Sequence, residues 1–180
     1  MIYNYKEIIE IYKDDYNLKK GLSKNEIYKL DKGIYSKKKI VSPLVIYSKK
    51  YPNAVITMDS AFYYYNLTDV IPNKVYLATD RNSDKINNSK IVQSFVSKSI
   101  LKEGKVTLEE DGEKINIYDK ERLLIELIRK KNRIPFDYYK EIISSYRAIV
   151  DELDMYKIEH YLSLFKNDLK LSNILQMEVF

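Results

Sequence analysis

The chain has 180 residues, of which 45% are hydrophobic, so it is long enough to bury a core in one large domain or in a small domain joined to a medium one. It contains no cysteine, which excludes disulfides, thiolate zinc sites and cysteine nucleophiles and fits the reducing cytoplasm, where we expect the protein to reside. Charged residues interrupt its first turns and its later apolar stretches, so we expect neither a signal peptide nor a membrane-spanning segment.

The positive charge is concentrated in the first third of the chain. Residues 1–52 hold twelve lysines and no arginine against six acidic residues, an excess of +6, whereas the remainder holds 19 basic and 20 acidic residues, an excess of −1. Clustered cations attract phosphates, so this asymmetry favours a short nucleic-acid-contacting module joined to a neutral body. The alternative stays open that an A/T-biased genome has raised the lysine content everywhere.

Two short helices are predicted at the start of the chain. Apolar residues recur at helical spacing over residues 5–12, which predicts the first helix. The second is predicted over residues 17–24, where Leu18 and Leu22 lie four apart on one face. Gly21 is expected to weaken this helix, because glycine lacks helix propensity.

A small hairpin follows the two helices. Residues 27–30 and 34–37 are predicted strands, and Asp31-Lys32-Gly33 between them has the composition of a tight turn. Strand alternation predicts that Tyr28 and Leu30 pack on the helices. Two helices followed by such a wing form a reduced winged helix-turn-helix module, in which the second helix enters the major groove and the wing contacts adjacent backbone or minor groove.

The remainder of the chain predicts a mixed α+β body behind this module. We place the domain boundary near residue 50, which gives a module over 1–50 and a body over 51–180. After the wing, the predicted elements are a helix over 42–50, strands over 54–57, 75–79 and 92–97, a helix over 59–66, a hairpin over 106–118 turning at Asp111-Gly112, and helices from 119, from 135, over 154–165 and over 168–178.

The helix from residue 119 carries the clearest pattern. Asp119 is predicted to cap its start, and Glu126 and Lys130 are expected to pair on its outer face, because residues four apart are neighbours on a helix surface. Its expected buried stripe consists of Leu123, Leu124, Leu127 and Ile128.

Three stretches, taken in order, resemble one protein family. They are the wing step Lys32-Gly33-Ile34-Tyr35, the segment YPNAVITMDSAFYYYNLTDVIP at 51–72, and the segment INIYDKERLLIELIRKKNRIPFDYYKEII at 115–143. Together they resemble the AbiEi-type antitoxins of bacterial abortive-infection, or phage-defence, type IV toxin-antitoxin systems. The resemblance covers nearly the whole chain.

The resemblance implies a transcriptional repressor that binds operator DNA of its own operon through the winged helix. It also implies that the body antagonises a cognate nucleotidyltransferase toxin, without requiring a stable complex with it. The residues to which it assigns DNA binding are Lys32 at the turn, Lys37, Lys38 and Lys39 after it, and Lys19, Lys20 and Lys24 in the second helix.

The chain departs from the family pattern in two places. Family modules carry a further helix before the two predicted here, and this chain begins without one, so an alternative is an interaction antidote whose degenerate head does not bind DNA. Tyr65-Asn66 replaces the family's His-Gly pair, and we expect Asn66 to end its helix in the left-handed conformation that asparagine tolerates.

An enzymatic function is the third and least favoured reading. The one histidine, His160, has no serine or acid arrangement beside it in sequence, and no glycine-rich phosphate loop is present. We expect no catalytic residue, no metal and no cofactor, and we interpret the acidic run over 109–113 as a solvated turn. The basic cluster Arg129, Lys130, Lys131 and Arg133 is expected mainly to complement a helix end, with a partner-binding surface as the alternative.

Overall fold

The computed structural model describes residues 1–166 and 168–180 and has the mixed α+β fold that the sequence predicts. Within these residues the chain forms nine α-helices and two β-sheets, of three and five strands. It divides into two compact units, Met1–Ala54 with Thr107–Asn116, and Val55–Val106 with Ile117–Phe180. The predicted division into independent domains at residue 50 stays a prediction. Over the described residues, no helix combines the length and apolar character needed to cross a membrane.

The first unit contains a three-stranded sheet and three helices. Its elements are β1 (Ile2–Asn4), α1 (Tyr5–Tyr12), α2 (Asp15–Ser23), β2 (Tyr28–Asp31), β3 (Ile34–Ser36) and α3 (Pro43–Lys50). The sheet order is β1-β3-β2, and both pairings are antiparallel. The hairpin of β2 and β3 is therefore confirmed, and its central strand is β3, flanked by β1.

Strand β1 is an element that the sequence reasoning missed. It has only three residues, and its partner β3 lies about thirty residues away, so no local pattern reveals it. Asn4 follows β1 and caps α1: its side chain accepts the Glu7 N–H at 3.0 Å, while the Glu7 carboxylate accepts the Asn4 N–H at 2.8 Å. This capping box fixes the strand-to-helix step.

The predicted packing face of the wing is wrong. Tyr28 and Leu30 are only half-buried, whereas Ile27 and Tyr35 lie in the core formed with Ile8 of α1 and other apolar residues. Tyr28 pairs with Ser36 and therefore lies on the face opposite Tyr35, whereas a shift of strand register between Lys29 and Asp31 leaves Leu30 as an extra residue and breaks the alternation of faces.

Gly21 has a packing role in α2. A Cβ atom at this position would lie 2.5 Å from Cε1 of Tyr12, so the glycine lets the Tyr12 ring of α1 approach closely. Leu18, on the inner face of α2, is 3% exposed. The observed helix begins two residues earlier than predicted, because Asp14 caps it by accepting the Asn17 N–H at 2.7 Å.

The second unit contains three complete strands of the five-stranded sheet. The remaining elements of the chain are β4 (Val55–Ile56), α4 (Met58–Tyr64), β5 (Val75–Asp80), β6 (Ile91–Val96), α5 (Lys98–Leu101), β7 (Lys105–Glu110), β8 (Glu113–Tyr118), α6 (Lys120–Arg129), α7 (Phe136–Ala148), α8 (Met155–Ser163) and α9 (Asp168–Glu178). The sheet order is β6-β5-β4-β8-β7, with β6 at one edge. Most of the β7–β8 hairpin, residues Thr107–Asn116, belongs to the first unit, whereas β4, β5 and β6 lie wholly in the second.

Two predicted local features are confirmed in this part of the chain. The hairpin turns at Asp111 and Gly112, whose φ angles of 53° and 78° suit a two-residue turn. Helix α4 ends at the expected asparagine: Asn66 has φ 56°, and the Leu67 N–H donates to the Phe62 carbonyl at 2.9 Å. Asparagine thus makes the left-handed helix end that glycine usually provides.

Helix α6 lies at the centre of the second unit and is buried from Glu121 to Ile128. Asp119 caps it as predicted, accepting the Arg122 N–H at 2.9 Å. The second Asp119 oxygen accepts the Tyr161 hydroxyl at 2.9 Å and lies 3.3 Å from Lys157 Nζ. These contacts join the start of α6 to α8.

The predicted position of Glu126 on the outer face of α6 is wrong. Glu126 is 3% exposed, because α4, α8 and α9 pack around this helix and leave it no free face at that point. Its carboxylate contacts Lys130 at 3.4 Å as expected for the spacing, but also Arg122 at 2.8 Å and Arg129 at 2.9 Å. Sequence spacing identified one of the three partners.

Replacing Gly104 by alanine is expected to lower the free energy of unfolding by about 2–3 kcal/mol, from backbone strain and overpacking together. Gly104 has φ 75°, and an added Cβ would lie 2.5 Å from Cβ of the buried Arg122. Urea unfolding of Gly112→Ala provides the control: Gly112 has φ 78° but no described atom within 4 Å of that position, so only the strain of about 1 kcal/mol is expected. If the two variants lost equal free energy of unfolding, the packing role of Gly104 would be contradicted.

Candidate nucleic-acid interface

The turn of the β2–β3 hairpin presents Lys32 to solvent. Gly33 has φ 77°, which the turn requires, and the Lys32 N–H donates to Oδ1 of Asp31 at 2.7 Å. The other Asp31 oxygen accepts Lys50 Nζ of α3 at 2.7 Å, so Asp31 joins the turn to a helix of the same unit. The turn backbone is therefore held in place, while the exposed Lys32 ammonium has no acidic side chain within ion-pair distance among the described residues.

Lys37, Lys38 and Lys39 lie at the other end of β3 from the turn. All three are exposed, and the Lys38 N–H donates at 2.9 Å to Oγ of Ser36, which is buried. Because β3 has three residues, the triplet and Lys32 are separated by a strand length of about 10 Å. The wing lysines thus form two separate points of positive charge, one at the tip of the hairpin and one at its base.

The lysines predicted in the second helix do not all lie on one face of it. Lys20 lies opposite Leu18 and Leu22 on α2, and Lys19 is about 100° away from Lys20 around the axis. Lys24, which was predicted within the helix, is the C-cap residue just past its end. Lys24 approaches Glu26, with Nζ and Oε1 3.9 Å apart, but both side chains are more than half exposed. An exposed ion pair of this kind contributes little to stability, and salt screens it.

Two other lysines of the first unit, Lys49 and Lys50, already form ion pairs. Lys49 Nζ lies 2.7 Å from Glu7, and Lys50 is held by Asp31, so neither charge is available as an uncompensated cation. Lys29 lies in β2 opposite Tyr35 and is exposed to solvent, as the predicted lysines are. No pattern in the sequence indicated Lys29, because a single lysine within a short strand is neither part of a turn nor part of a cluster at the end of an element.

The acidic tip of the β7–β8 hairpin belongs to this unit and reduces its net charge. Residues 107–116 bring four acidic residues and one lysine, so the excess of the whole unit is +3 rather than the +6 of its first segment. Two of these acids make contacts: Asp111 accepts the Ser42 N–H at 3.2 Å, and Glu113 accepts the Ile2 N–H at 2.8 Å. The expected solvated turn thus also anchors the first strand and the start of α3.

The remaining candidate groups lie in the second unit. His160 is exposed, with Nε2 3.0 Å from Oε2 of Glu103. Of the basic cluster after α6, Arg129 and Lys130 contact Glu126, and Lys131 contacts Glu178. Among the described residues no group of three His, Cys, Asp or Glu side chains has an arrangement that would hold a metal ion.

No family model matches the chain, and no curated protein matches it significantly.

Proposed function

We propose that this protein is an antitoxin of AbiEi type that represses its own operon through the first unit and antagonises a nucleotidyltransferase toxin. The observation that carries the DNA-binding part is that the seven predicted lysines are all exposed and all lie in the first unit. Six of them have no acidic side chain within ion-pair distance among the described residues. Uncompensated cations of this kind favour phosphate binding, which releases counterions from DNA.

The order of elements supports the same proposal. Two short helices followed by a two-stranded hairpin are the arrangement expected of a reduced winged helix-turn-helix, and β1 adds a third strand to the hairpin. In this arrangement α2 is the helix that enters the major groove, with Lys20 on its outer face and Lys24 at its C-terminal end. Lys32 and the triplet at 37–39 then contact backbone phosphates at two points along the wing.

The chemistry of lysine limits the specificity that this module achieves. Lysine binds a phosphate as a point charge but lacks the forked guanidinium with which arginine reads guanine, and residues 1–52 hold no arginine. We therefore expect discrimination between sequences to depend mainly on DNA shape and to be modest.

Repression is tested with a reporter gene placed behind the DNA that lies upstream of the protein's own gene. Co-expression of the wild-type protein is expected to reduce reporter output by about tenfold, because a preference of about 1.4 kcal/mol for the upstream DNA already gives tenfold tighter binding there than to unrelated DNA. The same reporter behind a scrambled upstream sequence is the control. Equal output with and without the protein would overturn the repressor role.

The second candidate function is an antidote that acts through protein or RNA contacts and does not bind DNA. It is favoured by the modest +3 excess of the first unit and by the shortness of α2, which has nine residues. Growth rescue during co-expression with the nucleotidyltransferase separates the two. Rescue by a protein that leaves the reporter unchanged supports the antidote alone, and absence of rescue removes the antitoxin proposal.

A further inference from the structure

A cleft in the second unit combines an excess of positive charge with an exposed aromatic ring. It has a volume of about 510 Å³ and lies between the edge strand β6 and the end of α6. Its lining includes Arg81, Phe95, Arg129, Lys130 and Arg133. A cavity of this size is in the range of small-molecule sites, which span roughly 300–1,000 Å³.

The cations of the cleft outnumber its acids. Glu126 is the acidic residue in its lining, and its single charge is shared by Arg122, Arg129 and Lys130. Arg81 and Arg133 have no acidic side chain within ion-pair distance among the described residues. Because these guanidinium groups remain uncompensated in a concave site, they attract anions from solution.

The helix dipole explains only part of this arrangement. Cations are favoured near the end of a helix, which accounts for Arg129 and Lys130 at the end of α6. Arg81, however, follows β5 on the other wall of the cleft and is separated from Arg133 by about fifty residues of sequence. Two distant parts of the chain thus bring uncompensated arginines to one cavity.

One of the basic groups, Arg129, is held in a fixed position. The Arg129 guanidinium carbon lies 3.6 Å from the ring centroid of Phe165, and its Nη1 donates to Glu126 at 2.9 Å. Burial lowers the pKa of Arg129 while Glu126 opposes that shift, which is consistent with a partly desolvated cation. A preorganised cation of this kind loses little side-chain entropy when an anion binds.

Phe95 adds an exposed aromatic surface to the cleft, and the binding of a simple anion would not require such a surface. Its side chain is 46% exposed, although it belongs to strand β6 and lines the cleft beside the arginines. An exposed aromatic ring next to cations suits a ligand that has both a planar base and phosphates, since bases stack on such rings. The ligand class that matches both features is a nucleotide with a phosphate chain.

We propose that this cleft binds a nucleoside triphosphate, with Arg81 and Arg133 contacting its phosphates and Phe95 stacking on its base. Arginine is suited to this role because its planar fork donates two hydrogen bonds to one phosphate group. The proposal concerns the second unit alone and does not depend on DNA binding by the first.

Isothermal titration of the full chain with ATP tests the assignment. The double variant Arg81→Ala/Arg133→Ala is expected to bind ATP at least tenfold more weakly than the wild type, because two charge-assisted contacts are lost. The control is Lys85→Ala/Lys90→Ala, which removes two exposed cations of the same unit outside the cleft and is expected to bind normally. Unchanged affinity in the arginine variant, or no binding of ATP by the wild type up to millimolar concentration, would overturn the proposal.

Three further experiments identify the ligand class. Inorganic triphosphate is expected to compete with ATP for the wild type, and Phe95→Ala is expected to weaken the binding of ATP but not of triphosphate. The competition by triphosphate uses the intact cleft, so it remains decisive even if the double arginine variant loses its fold. A 5′-phosphorylated RNA trinucleotide that competes at lower concentration than ATP would contradict a mononucleotide site and assign the cleft to the end of a nucleic-acid chain.

Discussion

Replacing Lys37, Lys38 and Lys39 together by alanine is expected to weaken binding to upstream DNA by about 100-fold at roughly 0.15 M salt, if each lysine neutralises one phosphate. The physical reason is counterion release, which contributes a slope of about 0.9 in log affinity against log salt for each contact. The slope of log affinity against log salt should therefore be about 2.7 smaller in magnitude for the variant than for the wild type. Fluorescence anisotropy at several salt concentrations measures both quantities.

The matched control for the triplet is Lys85→Ala/Lys90→Ala/Lys105→Ala. These three lysines are exposed in the second unit, so the variant has the same net charge as the wing variant and retains the first unit. It should keep the wild-type affinity and slope. If both triple variants lose the same affinity, binding depends on net charge and the wing has no particular role.

Replacing Glu126 by glutamine is expected to lower the free energy of unfolding by about 3–5 kcal/mol, the cost of leaving a buried charge unpaired. Arg122 is fully buried, its guanidinium carbon lies 4.9 Å from the Tyr118 ring centroid, and Glu126 is its acidic partner. Its Nε and Nη1 atoms have no hydrogen-bond partner among the described residues, so the carboxylate is the main compensation for this buried cation. Urea unfolding near neutral pH measures the loss.

The pH dependence of this loss gives a second check. Burial raises the pKa of Glu126, but Lys130, Arg122 and Arg129 lower it by more, so the pKa in the folded protein lies below the ordinary value of 4.5. A carboxyl group with a depressed folded pKa stabilises the fold fully above its unfolded value and loses this contribution as the pH falls through the folded value. The difference between wild type and Glu126→Gln should therefore shrink below pH 4.5.

The control for Glu126 is Glu152→Gln. Glu152 pairs with Lys120 at 3.1 Å, but its side chain is 63% exposed, so its loss should cost less than about 1 kcal/mol. The double variant Arg122→Met/Glu126→Leu should recover most of the stability that Glu126→Gln loses, because it removes both buried charges. Losses of similar size at Glu126 and Glu152 would contradict the central role of the buried carboxylate.

Local features of the fold were largely predictable from the sequence, because they depend on neighbouring residues. The Asp119 cap, the Asp111-Gly112 turn and the left-handed Asn66 each follow from the conformational preference of one or two residues. Strand β1 and the irregular residue Leu30 were not predictable in this way. They depend on pairing with β3, which is a tertiary property.

The candidate sites also combine features that were predictable from the sequence with features that depend on tertiary packing. The exposed lysines of the first unit lie close together in the sequence, and their charge asymmetry was visible there. The burial of Glu126 and the presence of Arg81 and Arg133 in one cleft were not visible, because each depends on the packing of elements that are distant in sequence. The sequence identified the arginine and lysine cluster after α6 but not the cleft that it lines.

The measurement that tests the central claim most directly is a fluorescence-anisotropy titration of the wild-type protein with DNA from upstream of its own gene, beside scrambled DNA of the same length, at two salt concentrations. We predict at least about tenfold tighter binding to the upstream DNA and a marked loss of affinity at the higher salt. Equal, weak binding to both DNAs would contradict the proposed repressor and leave the proposed antidote role to be tested by growth rescue.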